Sequence, residues 1–70
     1  MQLGQKIVKS LLKKFEGEIE THKVNVQVML ENTVGVGEHS NITETVEKEL
    51  DIIAGYEDKI AVLKKYFEDN

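Results

Sequence analysis

Few side chains in this sequence can do chemistry. Histidine occurs twice, at His22 and His39, among thirteen acids and nine lysines, with no cysteine. His22 falls within an apolar stripe, opposite Glu49 and Leu50 when the chain is folded on itself. An acid beside an imidazole could ligate a metal or respond to pH. One histidine and one carboxylate are too few for a metal site unless a symmetric copy doubles them. The reading preferred is a partly exposed polar pair that fixes register. Glu38-His39 is the second pair. It lies about four helical turns from His22, so the two histidines cannot share a ligand. Acid and imidazole in a short connection are ordinarily solvated.

Two further patterns invite functional readings. Gly35-Val36-Gly37 ahead of a helix start suggests a phosphate cradle. It lacks the Gly-Lys-Ser/Thr ending of a P-loop and the third glycine of a dinucleotide loop. Glu38 would also repel an anion. The preferred reading gives Gly35 the left-handed cap of one helix and Gly37 the redirection into the next. Lys6, Lys9, Lys13 and Lys14 form a basic segment without an acid, whereas residues 15–56 hold nine acids against Lys23 and Lys48. Arginine, the usual reader of nucleic acid, is absent and the net charge is −4. Nucleic acid is therefore not the expected partner. Without a nucleophilic cysteine, a triad or an enclosed pocket, no enzyme is expected, and no cofactor or metal.

These residues must be positioned by two long arms. Leu3, Ile7, Val8, Leu11, Leu12, Phe15, Ile19, His22, Val26, Met29 and Leu30 recur at spacings of three and four. That period predicts a helix over about 3–32, with Lys and Glu on its other face. Gly17 inside it costs ~1 kcal/mol relative to alanine. Val24-Asn25-Val26-Gln27-Val28 alternates like a strand. With no turn signal after Glu20 and no partner strand, helix is preferred there. A second helix over about 41–67 carries Ile42, Val46, Leu50, Ile53, Tyr56, Ile60, Leu63 and Phe67. Asn41 with Glu44 three residues later resembles a capping box. Glu44 and Glu47 at its start, and Lys64 and Lys65 at its end, suit the helix dipole.

Folded at residues 33–40, the stripes align so that facing position numbers add to about 72. Leu30 then meets Ile42, Val26 meets Val46, Ile19 meets Ile53, Phe15 falls near Tyr56, and Leu12 meets Ile60. The expected fold is all-α, an antiparallel two-helix hairpin in a single domain. The stripe is wider than one seam, because Leu11, Val24, Leu30, Ile52, Val62 and Tyr66 flank it. A homodimer closing a four-helix bundle is therefore expected, with basic open ends lying over the partner's acidic half. The same register sets Gly17 beside Gly55, both off the main stripe, read either as a groove for the second copy or as two tolerated surface glycines. No run reaches the ~20 apolar residues of a membrane span. The first residues also lack the apolar region of a signal peptide, so a cytoplasmic protein is expected. The Asn41-Ile42-Thr43 sequon is then a coincidence.

The segment Asn32-Thr33-Val34-Gly35-Val36-Gly37-Glu38-His39-Ser40-Asn41-Ile42 resembles the "NPVGIGEHPDI" turn of short proteins from tailed phages, especially those of marine cyanobacteria. Glu49 to Ala54 and Tyr56 to Phe67 are similar to the "KIAxxEDKLEVLEKxF" ending of that group, so the resemblance spans about residues 24–67. It implies a phage-encoded protein, in the host cytoplasm or associated with the virion, and brings no catalytic residues with it. It also implies a helix end near Asn32, where relatives continue with proline. Thr33 and Ser40 replace the group's prolines here and loosen the turn. The expected role is a structural or interaction protein that meets a second copy, or a phage or host protein. The expected contact residues are Val34, Val36, Glu38 and His39 at the turn and Lys6, Lys9, Lys13 and Lys14 at the open end. Two valines at an exposed tip call for a covering surface.

Overall fold

The computed structural model describes residues 2–31 and 41–68. All regular structure among them is helical: α1, Gln2–Glu31, and α2, Ile42–Tyr66. The two run antiparallel as a helical hairpin, a rod whose Cα extents are 54 × 15 × 14 Å. α1 runs unbroken through Val24–Val28, so the strand alternative fails. Helical packing of Val26 and Met29 on the seam outweighs the β-branched alternation of that stretch. The expected turn residues Val34, Gly35, Val36, Gly37, Glu38 and His39 lie outside the described residues.

The half-buried positions follow a strict four–three alternation on α2; on α1 Leu11, Glu18 and Asn25 add a third position per heptad to the same alternation. On α1 they include Val8, Leu12, Phe15, Ile19, His22, Val26 and Met29; on α2 they are Ile42, Val46, Glu49, Ile53, Tyr56, Ile60 and Leu63. This is coiled-coil spacing, in which two residues per heptad face the partner. Phe15 and Tyr56 pack with ring centroids 5.5 Å apart. His22 reaches Glu49 one heptad away on each helix. The seam therefore holds the register that the two stripes imply.

Three expectations need correction. Leu50, expected on the stripe, is 52% exposed, and Glu49, whose position also reads as core-type in the sequence, takes the seam beside it. A strict 3.5-residue repeat from Val46 selects residue 49, whereas a looser helical stripe reaches residue 50. Leu3, Ile7, Leu30 and Phe67 are likewise exposed. The capping box does not form: Asn41 is the N-cap, but its side chain makes no capping bond. Its ψ of 22° departs from the extended backbone that aims a capping oxygen at the first turn. The Asn41 carbonyl still accepts from Thr45 N at 2.8 Å. At the far end Phe67 N–H donates to the Leu63 carbonyl at 2.9 Å and closes α2.

Charge helps only one helix. α2 has Glu44 in its first turn and Lys64 and Lys65 in its last. α1 has no acid at its start and no base at its end, so it depends on the seam for stability. That seam is thin: among the described residues none is fully buried. None of the described helices is long and apolar enough to cross a membrane.

Candidate functional site

His22 and Glu49 form a polar layer within the apolar seam. A helical stripe brings His22 to the seam, and the heptad repeat of α2 brings Glu49 opposite. His22 Nδ1 donates to Glu49 Oε1 at 2.7 Å. Asn25, one turn further along α1, donates through Nδ2 to the same oxygen at 3.1 Å. Glu18, one turn back, places Oε1 3.6 Å from the other imidazole nitrogen, Nε2. The His22 and Glu49 side chains are 19% and 15% exposed, so this layer is partly screened from water. The His22 hydrogen bond, then that of Asn25, holds the Glu49 carboxyl below its usual range. Partial burial works in the opposite direction, and the imidazole's charge adds a smaller lowering.

This arrangement suits orientation better than ligation. The acceptor oxygen of Glu49 is already shared by two donors. Among the described residues no three His, Cys, Asp or Glu side chains converge as metal ligands. Sequence reasoning placed His22 and Glu49 together but missed Asn25. Its signal was available: Asn25 lies three residues after His22, on the same side of α1.

The open end holds a different arrangement. The Lys59 ammonium lies 5.0 Å from the Tyr56 ring centroid and 5.6 Å from that of Phe15. It caps the aromatic pair from one side of the seam. Beside it runs a groove of about 290 Å³ lined by Leu11, Phe15, Asp58, Lys59, Val62 and Leu63. A separate shallow groove, also touching Lys59, is lined by Asp51, Ile52, Gly55 and Tyr56. Tyr66 follows Val62 by one turn and is 64% exposed.

Lys6, Lys9, Lys13 and Lys14 are all exposed on the first half of α1. The antiparallel arrangement puts them at the same end of the rod as Lys64 and Lys65. None of them enters an ion pair with another described residue, the pairs present being His22–Glu18, His22–Glu49 and Lys23–Glu20. At 100° per residue, Lys6, Lys9 and Lys13 fall on one side of the seam, and Ile7, Leu11 and Lys14 on the other. The open end thus has a basic flank and a more apolar flank that carries Lys14. No family model, curated protein or solved structure matches the chain, so the functional reading stands on this geometry.

Proposed function

We propose that the chain is a small non-enzymatic structural or interaction protein that self-associates through its helical faces. In this reading two hairpins close a four-helix bundle. One observation carries it: the hairpin alone leaves too much apolar surface wet. Ten large apolar side chains among the described residues are 37–64% exposed, Leu3, Ile7, Leu50, Val62 and Tyr66 among them. A packed pair of helices covers only one side of each, so this apolar surface calls for a covering partner. Chains this short seldom bury an adequate core without a staple or a partner, and no disulfide is available here. Sedimentation equilibrium at micromolar concentration tests the reading. A mass twice 8.0 kDa is expected, and a monomer overturns it.

The turn resemblance supports a phage origin and a place in the host-cell cytoplasm or the virion. In a second reading, the basic open end makes the protein a phage regulator that contacts nucleic acid or a host protein. The exposed lysines favour it, and the absence of arginine weighs against a specific nucleic-acid reader. A DNA gel shift that weakens with salt and vanishes when Lys6, Lys9, Lys13 and Lys14 are changed to glutamine would support it. A shift insensitive to those substitutions would count against it.

A further inference from the structure

We propose that the open end of the rod enters an anionic lipid surface end-on. Leu3, Ile7, Tyr66 and Phe67 sink into the headgroup layer, and a collar of lysines behind them meets the phosphates. The inference goes beyond the dimer reading and does not rest on it, because helices packed side by side leave the ends of their bundle open. It is a surface contact, since none of the described helices is long and apolar enough to cross a membrane. The outermost layer is apolar: Leu3, Ile7, Tyr66 and Phe67 are each more than half exposed. In the hairpin register Phe67 and Tyr66 come level with residues 5 and 6. All four side chains therefore start within about 6 Å along the rod, at 1.5 Å per residue. Interfacial apolar groups sink about 5–10 Å into the boundary of headgroups and acyl chains. The Tyr66 and Phe67 rings lie 6.3 Å apart, and Lys65 Nζ stands 5.2 Å from the Tyr66 ring. Tyrosine and lysine each offer an apolar body with a polar tip, which suits an edge where hydrocarbon meets water.

Charge selects the occupant and the direction. Residues 2–14 and 59–67 contain seven lysines and no acid, whereas residues 15–58 contain eleven acids and two lysines. Lys6, Lys9, Lys64 and Lys65 stand level with the apolar tip or just behind it, and Lys13 and Lys14 one turn further back; all are exposed. Glu68, just past α2, is the one described acid at this end. A negative surface attracts such a lysine cluster, each charge adding to the affinity. A rod lying flat would press its acidic half against that surface, so the approach is end-on. The side chains also run around the rod. At 100° per residue, Lys6 and Lys13 lie on one side of the seam, Ile7 and Lys14 on the other, and Leu3 on the face of α1 away from α2. A protein docked on one flank would cover only part of this set. Nucleic acid would engage the lysines and leave the apolar tip wet. A lipid interface entered end-on meets both kinds of side chain on every side.

The test is flotation of the full chain with phosphatidylcholine vesicles that contain or lack phosphatidylglycerol. Binding is expected only with phosphatidylglycerol present, and should weaken as salt is raised. Changing Lys6, Lys9, Lys13 and Lys14 to glutamine should lower the affinity about fivefold per lysine. Lys23→Gln with Lys48→Gln, in the acidic half, should not lower it. Tyr66→Ser with Phe67→Ser should weaken binding about tenfold while leaving the helical circular dichroism signal intact. The chain has no native cysteine, so an environment-sensitive dye can be attached at Leu3→Cys or at Gln27→Cys. Vesicles should shift the emission to the blue from the first site and not from the second. Failure to float with phosphatidylglycerol vesicles overturns the proposal, and so does an equal shift at the two dye sites, which would mean a rod lying flat. Lysine-dependent binding that ignores the Tyr66 and Phe67 changes also overturns it, and a DNA gel shift with the same lysine dependence would assign this end to nucleic acid. Sedimentation without lipid reports the dimer separately, so either reading can fail alone.

Discussion

Phe15–Tyr56 and His22–Glu49 are equivalent layers of the seam, one heptad apart on each helix, yet they are built from opposite materials. The first is an aromatic pair at 5.5 Å covered by Lys59. The second is a hydrogen-bonded pair at 2.7 Å held by Asn25 and flanked by Glu18. The aromatic layer removes apolar area from water and works in any register that keeps it apolar. The polar layer gains little net energy, because both groups lose hydration to meet. It does penalise every register that separates them. A one-residue slip would leave a half-buried imidazole and carboxylate unpaired. Stability and uniqueness are therefore located in different layers of one seam.

Breaking the aromatic layer should have the largest effect. Phe15→Ala removes a half-buried ring and the surface under Lys59. It should cost about 2–3 kcal/mol, somewhat below the range for a fully buried phenylalanine. Urea denaturation followed by circular dichroism would measure this, and a loss below about 0.5 kcal/mol would mean the layer is dispensable. Replacing the polar layer should act in the opposite sense. His22→Leu combined with Glu49→Leu should raise the melting temperature, while the sedimenting species becomes a mixture of sizes or registers. A stabilised variant that remains a single species would remove the register role.

Acid should act on the polar layer selectively. The hydrogen bonds from His22 and Asn25 hold the folded-state pKa of Glu49 below the ordinary value of a glutamate. Its contribution is therefore fully present above about pH 5, and is lost as the pH falls through the lowered folded value. The melting temperature of the wild type should fall through that window, and Glu49→Gln should flatten the fall. Equal slopes in the two proteins would show that the pair contributes nothing to acid sensitivity. The smallest change expected is Lys59→Ala, which removes a partly exposed cation–ring contact worth about 0.5–1 kcal/mol. A double-mutant cycle with Tyr56→Leu would isolate that coupling.

Much of this fold was legible in the spacing of its apolar residues. The unbroken three–four repeat implied helix even across the β-branched stretch at residues 24–28. Matching the two stripes alone brings Phe15 to Tyr56 and His22 to Glu49. That works because a hairpin has one main tertiary degree of freedom, its register, and periodicity fixes it. Other features depend on phase differences too fine for a sequence pattern. A rotation of α2 by one position, about 100°, decides whether Glu49 or Leu50 enters the seam. The ψ of Asn41 decides whether its side chain caps α2. Only the packed pair of helices placed Lys59 over two rings, turned Asn25 onto Glu49, and opened the groove between Leu11 and Val62. These are contacts between residues far apart in the chain, made at distances of a few ångströms. Local periodicity specifies which face of a helix meets its neighbour; side-chain packing across the interface settles what each residue on that face touches.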